Sequence, residues 1–272
     1  MNKLNENIFH LYNRWKEGYV RKETSLEEKI KPMKEWAEKA FNEDDFDKMD
    51  FDPNGITVNG MLLISSSELT DEIPYPFVEC ESFTLLPSTS IKSLKNCPKY
   101  VEEFDCSACA SLTSLEGAPE KSKITFSCND CISLTSLVGA PKEIGYDTDK
   151  YTGKSFHFFG DFYCAGCKRL KTLEGAPEKI GTFSCAGCNG LKTLEGAPKD
   201  VQQNFNCAGC DSLESLIGAP KTVGGDFDCS GCKNLSSIED LPELIEGNLI
   251  IDSRFEGKIP KNVTIEGETE WK

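Results

Sequence analysis

A pattern of about 22 residues recurs along the chain, and it constrains the fold more than any other feature of the sequence. The pattern reads F-x-C-x-x-C-x-x-L-x-x-L-x-G-A-P, and successive Phe–Cys pairs start 22, 36, 21, 22 and 22 residues apart. The same phase continues upstream to Phe83 and Leu62 and downstream to Leu249. Such periodicity is typical of a repeat solenoid, and it predicts about nine coils between residues 56 and 255. The six pairs are Phe104/Cys106, Phe126/Cys128, Phe162/Cys164, Phe183/Cys185, Phe205/Cys207 and Phe227/Cys229.

Each repeat unit has room for a short strand and turns, but not for a full helix as well. The Phe-x-Cys alternation is typical of a strand, and Gly-Ala-Pro closes each unit with a turn. An apolar residue often follows the Pro by three positions, as Val201 and Val223 do. The sequence therefore predicts one short strand per coil and an outer side that is extended or 3-10 helical.

The spacing of the apolar residues resembles that of a known repeat family. Val223, Phe227, Cys229, Cys232 and Leu235 approximate the unit L-x-x-L-x-L-x-x-N/C-x-L. In these positions the chain resembles the leucine-rich-repeat family, and its short, cysteine-containing units are similar to those of bacterial effectors and of bacteriophage and giant-virus proteins. The resemblance covers about three quarters of the chain. It implies a curved solenoid whose concave face is a parallel β-sheet.

Six units carry a Cys-x-x-Cys pair, a spacing that often indicates a metal site. Other units carry Leu85, Ile64 and Ile251 at the first position and Ser88 and Ser67 at the second. A metal site cannot exchange a thiolate for leucine, whereas a core position can, because reduced cysteine behaves as a small hydrophobe. We therefore expect structural core thiols with no metal or cofactor, and a metal site or a disulfide or redox role is the alternative. The second cysteine resembles the family's ladder position, which implies a bond to the backbone of the next coil. The twelve thiols are Cys106, Cys109, Cys128, Cys131, Cys164, Cys167, Cys185, Cys188, Cys207, Cys210, Cys229 and Cys232.

The ends of a solenoid need caps, because a terminal coil otherwise exposes its apolar face and a sheet edge. We predict an α-helical N-terminal cap over residues 1–50 and a C-terminal cap over residues 256–272. A capping-box pattern at Thr24–Glu27 predicts the start of a second helix, which the acidic run at 42–45 ends. An alternative is that this amphipathic stripe binds a partner helix. The apolar residues assigned to the caps are Ile8, Phe9, Leu11, Tyr12, Trp15, Ile30, Met33, Trp36, Ala37, Phe41, Val263, Ile265 and Trp271.

One unit carries an insertion of about fourteen residues, which we place within residues 142–160. Alternation at Phe156 and Phe158 predicts a protruding β-hairpin. Asp147 and Asp149 lack the glycine and glutamate of an EF-hand loop, so a calcium site is not expected. Clustered aromatic residues favour a protein-binding site, and folding back onto the solenoid is an equal alternative. The candidate contact residues are Tyr146, Tyr151, Phe156, His157, Phe158 and Phe159.

The residues that flank each inward Phe form a predicted second part of the binding surface. They are mostly small and polar, with acidic residues towards both ends. This composition suits a partner with a basic or polar surface, although it also suits an unoccupied, solvated face. The candidate contact residues are Asp105, Asp161, Tyr163, Asn206 and Asp228.

The charge of the chain argues against two classes of partner. The net charge is −15 and the pI is about 4.7, so that nucleic acid and anionic lipid would be repelled. The N-terminus lacks the apolar run of a signal peptide, and the run Met61–Ile64 is far too short to cross a bilayer. With fourteen cysteines expected to stay reduced, we predict a cytoplasmic protein.

No catalytic constellation stands out in the sequence. The two histidines, His10 and His157, are far apart, and no phosphate-binding or dinucleotide-binding motif is present. We therefore predict a non-enzymatic protein–protein interaction module that binds through the concave face and the insertion. The family resemblance suits a bacterial or phage protein that blocks a host target. The alternative is a structural component of a virion or another large assembly.

Overall fold

Each copy of the repeat forms one turn of a parallel β-solenoid of about nine turns, which confirms the prediction of a repeat solenoid with a parallel sheet. The structure is a computed structural model, and residues 146–148 and 155–157 are described by their backbone. It describes residues 25–65, 71–87, 90–148, 155–157 and 159–272.

Short strands and a few helices make up the described chain. The helices are α1 (Leu26–Ala40), α2 (Glu43–Phe46) and a 3-10 helix (Ser253–Phe255). The strands are β1 (Met49–Asp52), β2 (Gly55–Ile64), β3 (Phe77–Leu85), β4 (Tyr100–Asp105), β5 (Lys121–Ser127), β6 (Glu143–Ile144), β7 (Tyr146–Thr148), β8 (Ser155–His157), β9 (Asp161–Tyr163), β10 (Lys179–Ile180), β11 (Phe183–Ser184), β12 (Asp200–Val201), β13 (Phe205–Asn206), β14 (Thr222–Val223), β15 (Phe227–Asp228), β16 (Leu244–Ile245), β17 (Leu249–Ile251), β18 (Thr264–Ile265) and β19 (Thr269–Trp271).

A main sheet of twelve strands runs along the solenoid in the order β1-β2-β3-β4-β5-β9-β11-β13-β15-β17-β19, with β6 paired to β5. Only β1 and β2 pair antiparallel among its described strands. The parallel register places equivalent residues side by side, so that Phe183 pairs with Phe162 and with Phe205. The spacing of the repeat therefore becomes a set of columns, about 4.8 Å apart from coil to coil.

A second parallel sheet, formed by β10-β12-β14-β16-β18, corrects the prediction of one strand per coil. Its strands are two residues long and contain the apolar residue that follows the Pro. Ile180, Val201 and Val223 are almost fully buried there. Backbone bonds join them laterally, since the amide of Gln202 donates to the carbonyl oxygen of Ile180 at 2.9 Å. A strand with a single apolar residue can therefore extend this sheet from coil to coil, because its backbone is hydrogen-bonded to the strands of both neighbouring coils.

Hydrogen-bonded turns carry the chain around the outer side of each coil. In one unit the amide of Cys188 donates to the carbonyl oxygen of Cys185, and the amide of Leu191 donates to that of Cys188. The amide of Ala197 then donates to the carbonyl oxygen of Leu194. Each bond closes a four-residue turn, so a coil of about 22 residues needs no helix.

The spacing of the two cysteines follows from the first of these turns. The residue before the second cysteine has a positive φ, as at Gly187 (66°) and Gly209 (67°). A four-residue turn with positive φ at its third residue favours glycine there. Ala108 and Asp130 adopt the same conformation, with φ of 57° and 54°.

Seven phenylalanines form a continuous buried stack in the interior of the main sheet. Each is at most 1% exposed, and adjacent ring centroids lie 5.1–5.9 Å apart with interplanar angles of 1–18°. Each stacked pair adds roughly 0.5–1.5 kcal/mol to the stabilisation from burial alone. The stack consists of Phe83, Phe104, Phe126, Phe162, Phe183, Phe205 and Phe227.

Helix α1 lies against the first coil. Met33 and Ala37 are buried, and the ring of Trp36 lies 6.4 Å from that of Phe77 in β3. The N-cap is Ser25 rather than the predicted Thr24, because Ser25 and Glu28 make the reciprocal capping-box bonds. The other predicted helix, around Ile8–Trp15, lies outside the described residues.

Helix α1 ends at Ala40, just before the acidic run at 42–45, and this run forms the start of helix α2. The side chain of Asn42 accepts a 2.9 Å bond from the amide of Asp45 and caps the four-residue helix α2. Acidic residues in a first helical turn interact favourably with the exposed amides. At the opposite end of the solenoid, the predicted apolar residues Val263, Ile265 and Trp271 pack partly buried on the core.

Candidate interaction surface

The exposed side of the main sheet, here called the sheet face, consists of three columns of residues that flank the inward Phe positions. The column before Phe holds Glu103, Thr125, Asp161, Thr182, Asn204, Asp226, Asn248 and Glu268. The column after Phe holds Asp105, Ser127, Tyr163, Ser184, Asn206, Asp228, Ile250 and Glu270. The third column, two residues further on, holds Ser107, Asn129, Ala165, Ala186, Ala208, Ser230 and Asp252.

The charged side chains of the sheet face are all acidic. Its three columns contain eight acidic residues and neither lysine nor arginine. On the outer side, by contrast, lysines pair with acids of neighbouring coils, as Lys192 does with Glu214 at 2.9 Å. Only at the C-terminal end do described cations neutralise the face, through Lys272 on Glu270 and Arg254 on Asp252. The sheet face therefore carries a one-signed field, which favours a basic partner.

Three predicted contact residues also have a role in ending the strands. Asp105, Asn206 and Asp228 each accept the backbone N–H two residues further on, at 2.7, 2.9 and 2.9 Å. This is the Asx-turn geometry, in which a side-chain oxygen replaces a backbone acceptor. One oxygen of each side chain is therefore engaged by the fold.

The Asx turn at Asn206 leaves a backbone carbonyl oxygen of the preceding coil without an amide donor, and the thiol of Cys210 bonds it instead. In a regular parallel ladder the amide of Ala208 would donate to the carbonyl oxygen of Cys185, because Cys185 donates to Asn206. Asn206 takes that amide instead, and the thiol of Cys210 donates to the Cys185 carbonyl oxygen at 3.2 Å. The same exchange recurs one coil later, where Asp228 takes the amide of Ser230 and Cys232 bonds the carbonyl oxygen of Cys207.

Asp161 and Tyr163 form a polar pair beside the insertion. One oxygen of Asp161 accepts the amide of Thr182 in the next coil at 2.8 Å, and the other accepts the Tyr163 hydroxyl at 3.1 Å. Burial, and then the neighbouring Asp161 carboxylate, raise the pKa of the Tyr163 hydroxyl. The hydroxyl therefore stays protonated and remains a hydrogen-bond donor.

Asp161 belongs to a ladder of side chains that the sequence analysis missed. Asn204, Asp226 and Asn248 accept the amides of the equivalent residues one coil on, at 2.7–2.8 Å. The recurrence of Asn or Asp one residue before the Phe position in four coils is the signal that could have revealed it.

The insertion contains the predicted hairpin. Strands β7 and β8 pair antiparallel, with Tyr146 opposite His157 and Asp147 opposite Phe156. The hairpin follows β6 directly along the chain, and β9 begins at Asp161 shortly after it. Phe159 is 38% exposed at its base. Tyr151 and Phe158 lie outside the described residues.

The structure places all fourteen cysteines in the interior as free thiols. The second cysteine of a pair bonds the backbone of the preceding coil, not of the next coil as implied by the family resemblance. Cys131, Cys167 and Cys188 donate to the carbonyl oxygens of Cys106, Cys128 and Cys164 at 3.1–3.2 Å. The thiol bonds point to the preceding coil because, in the backbone ladder between two coils, the carbonyl oxygen without an amide donor belongs to the earlier coil.

Burial raises the pKa of several of these thiols. Desolvation raises the pKa of Cys97, Cys164 and Cys229 above its ordinary value, and raises that of Cys80 to about 12. Metal binding requires thiolates. Across the described residues, no group of three or more His, Cys, Asp and Glu side chains is arranged to hold a metal ion.

Two apolar residues of the sheet face were not among the predicted contact residues. Met61 and Leu63 on β2 are 60% and 52% exposed, and Leu63 aligns with Thr84 and then with Asp105. Their alternation with the buried Leu62 and Ile64 is the signal for this orientation. The sheet face thus begins with an apolar end at β2 and becomes acidic from β4 onwards.

Comparisons with known proteins do not assign a family. No protein-family model, no curated protein and no solved structure matches the chain. No helix in the described ranges has the length and apolar character that crossing a bilayer requires.

Proposed function

We propose that this chain is a non-enzymatic protein-binding module whose sheet face and insertion take a partner with a basic surface. The observation that carries the proposal is the charge of the sheet face, with eight acidic residues and no basic residue in three adjacent columns. A one-signed surface attracts an oppositely charged partner and accelerates its association. A non-enzymatic role is supported by the buried state of the thiols, which keeps these nucleophiles away from a substrate.

The charge of the face can be removed without removing the bonds that hold the fold. In the triple variant Asp105→Asn, Asp226→Asn and Asp228→Asn, each amide oxygen still accepts the backbone N–H that the carboxylate accepted. The matched control neutralises three exposed outer-side acids through Glu116→Gln, Glu174→Gln and Glu195→Gln.

We expect the wild-type chain to capture a basic protein from a lysate of its source cells, more strongly at low salt than at high salt. Titration of that protein should show binding weakened about tenfold or more by the sheet-face variant and unchanged by the control. Equal weakening by both variants, or by neither, would refute a role of the sheet face. Incorporation into purified particles at fixed copy number would instead favour the structural role.

The contribution of the insertion is tested by a deletion that restores the ordinary coil. Removing residues 146–160 joins Ile144-Gly145 to Asp161-Phe162, which is the spacing of Ile180-Gly181-Thr182-Phe183. The deletion should leave the solenoid intact and weaken capture of the same partner. Unchanged binding would discard the insertion as part of the surface.

We also propose that the solenoid is a curved one of the leucine-rich-repeat type, with the main sheet on its concave side. The proposal is supported by the sequence unit and by the thiol that bonds the neighbouring coil. Small-angle X-ray scattering should give the profile of a bent rod, and the profile of a straight rod would contradict it.

The ends and the cellular location complete the proposal. We propose that α1 belongs to an N-terminal cap, since Met33 and Ala37 are buried in the core. We propose a cytoplasmic location, because fourteen free thiols suit a reducing compartment. Fractionation of source cells should recover the chain with cytoplasmic markers, and recovery with secreted proteins would contradict this.

A further inference from the structure

Two pairs of acidic residues lie far apart on the sheet face. Glu103 and Asp105 lie on β4, whereas Asp226 and Asp228 lie in the coil of β15, and we call them the β4 acids and the β15 acids. Because β5, β9, β11 and β13 lie between them in the main sheet, the pairs are separated by five strand spacings, about 24 Å. In the coils of β11 and β13 the face is uncharged and consists of Thr182, Ser184, Ala186, Asn204, Asn206 and Ala208.

The carboxylates of both pairs can accept further hydrogen bonds. Asp105, Asp226 and Asp228 each give one oxygen to a backbone amide at 2.7–2.9 Å, and within the described residues their other oxygen makes no hydrogen bond. Glu103 is exposed. Asp161, which lies between the pairs, uses both of its oxygens for neighbouring residues. The β4 acids and the β15 acids therefore offer two separate attachment points for basic side chains.

The backbone of this part of the sheet offers no strand edge to a partner. Each strand from β4 to β15 has a neighbouring strand on both sides. An extended segment lying on the face would therefore find no ladder for its own N–H and C=O groups, which need hydrogen-bond partners when they are buried. An α-helix pairs these groups within itself, so that only its side chains need to match the face.

The dimensions of the face suit one helix. Its three columns span four residues of extended chain, about 13 Å, and a helix with its side chains is about 10–12 Å wide. The small side chains in the coils of β11 and β13 allow a helix to lie close to the sheet. A distance of 24 Å corresponds to about 16 residues of helix, and positions about 14 or 18 residues apart share one helical face.

We propose that the partner of the sheet face presents an α-helix that lies across the strands, along the solenoid, with basic side chains on the β4 acids and on the β15 acids. The helix carries small or polar side chains between these two contacts. This inference rests on the proposed function and adds the form of the partner to it. Opposite charges at two points about 24 Å apart fix the position of the helix, whereas a single cluster would let it pivot.

Three synthetic peptides of about 22 residues, rich in alanine, test the form of the partner by fluorescence anisotropy at low salt. The spaced peptide has two lysines near each end, on one helical face and about 14 residues apart. The grouped peptide has the same four lysines in one half, and the broken peptide is the spaced peptide with two central prolines, which circular dichroism should show to be non-helical. We expect the spaced peptide to bind about tenfold more tightly than either of the others.

Variants of the chain test the two attachment points. Glu103→Gln with Asp105→Asn, and Asp226→Asn with Asp228→Asn, should each weaken binding of the spaced peptide about threefold or more, because each pair of substitutions removes two ion pairs. The amide oxygens still accept the backbone bonds of the fold. The control, Glu116→Gln with Glu174→Gln on the outer side, should leave the affinity unchanged.

The proposal is overturned if the broken peptide binds as tightly as the spaced one, since the partner would then be extended. It is also overturned if the grouped peptide binds equally well, if only one pair of acids matters, or if the spaced peptide does not bind up to about 1 mM. In each of these cases the proposed function still stands if the triple sheet-face variant loses the protein partner. If that variant keeps the partner, the proposed function fails as well.

Discussion

The thiol of Cys188 donates a hydrogen bond of 3.1 Å to the carbonyl oxygen of Cys164 in the preceding coil. The first and second cysteines of a pair therefore have different roles. The first is a small apolar residue in the column that elsewhere holds Leu85 and Ile251, and the second is a donor that completes the ladder between coils.

Serine should separate these two roles. Cys188→Ser keeps a donor, so we expect the free energy of unfolding to fall by no more than about 1 kcal/mol. Cys185→Ser places a hydroxyl in an apolar column, so the expected loss is larger, roughly 1–3 kcal/mol. Urea unfolding of the two variants checks the order, and an equal or reversed loss would contradict the assignment.

The phenylalanine stack should be more sensitive in its middle than at its end. Phe183 stacks on two rings, at 5.5 and 5.6 Å, whereas Phe227 stacks on one ring, at 5.3 Å. Replacement by leucine removes the aromatic contacts and keeps most of the burial. We expect Phe183→Leu to destabilise the chain by about 0.5–1.5 kcal/mol more than Phe227→Leu in urea unfolding. Equal losses would mean that ring stacking adds nothing to burial.

Two glycines of one coil should tolerate alanine very differently. Gly209 has a φ of 67° and no atom within 4 Å of a Cβ built on it, so Gly209→Ala should cost only the left-handed conformation, about 1–2 kcal/mol. At Gly218, with a φ of 90°, such a Cβ would lie 2.6 Å from the backbone of Glu195. We expect Gly218→Ala to cost about 3 kcal/mol or more, because overpacking adds to strain. Thermal unfolding compares the two, and a mild Gly218→Ala would show that adjacent coils can separate.

The spacing of the Phe, Cys and Leu residues predicts much of the fold, because each of these positions must be buried once the coils stack. The second sheet could not be predicted in this way. A strand such as Asp200–Val201 has one apolar residue, which gives no alternation, and only the lateral bonds of Gln202 and Gly224 show that the segment is a strand. The direction of the thiol bonds was equally hidden, because it depends on which carbonyl oxygen of the ladder is left without an amide donor.

The candidate surface was predicted in part. Alternation around each Phe places Asp105, Asn206 and Asp228 on the sheet face, where the structure has them. Their Asx turns depend on side-chain bonds two residues apart, and these do not follow from exposure. Met61 and Leu63 could have been predicted from the same alternation, because the phase of the repeat places Leu62 and Ile64 inwards.

Stability should fall at alkaline pH, because burial raises the pKa of several thiols, among them Cys80, Cys97 and Cys229. Burial raises the pKa of Cys80 from 9.0 to about 12. Between these values the unfolded chain has lost a proton that the folded chain keeps, so the free energy of unfolding falls with rising pH by about 1.4 kcal/mol per pH unit and thiol. Below about pH 8 the thiol should contribute no pH dependence.

Urea unfolding between pH 7 and 10.5, under reducing conditions, measures this slope. Cys80→Ala should make the alkaline slope shallower by the contribution of one thiol. A free energy of unfolding that stays constant above pH 9 would show that the thiols are accessible in the folded state.

Counting the reactive thiols of the folded chain tests the central claim, that stacked coils enclose the cysteines in a dry interior. Iodoacetamide should modify none of the fourteen cysteines of the native protein and all of them in denaturant, as read from the intact mass. The native mass without reagent should equal that of the chain alone. Rapid modification of several native thiols, or a native mass that includes zinc or iron, would contradict the account.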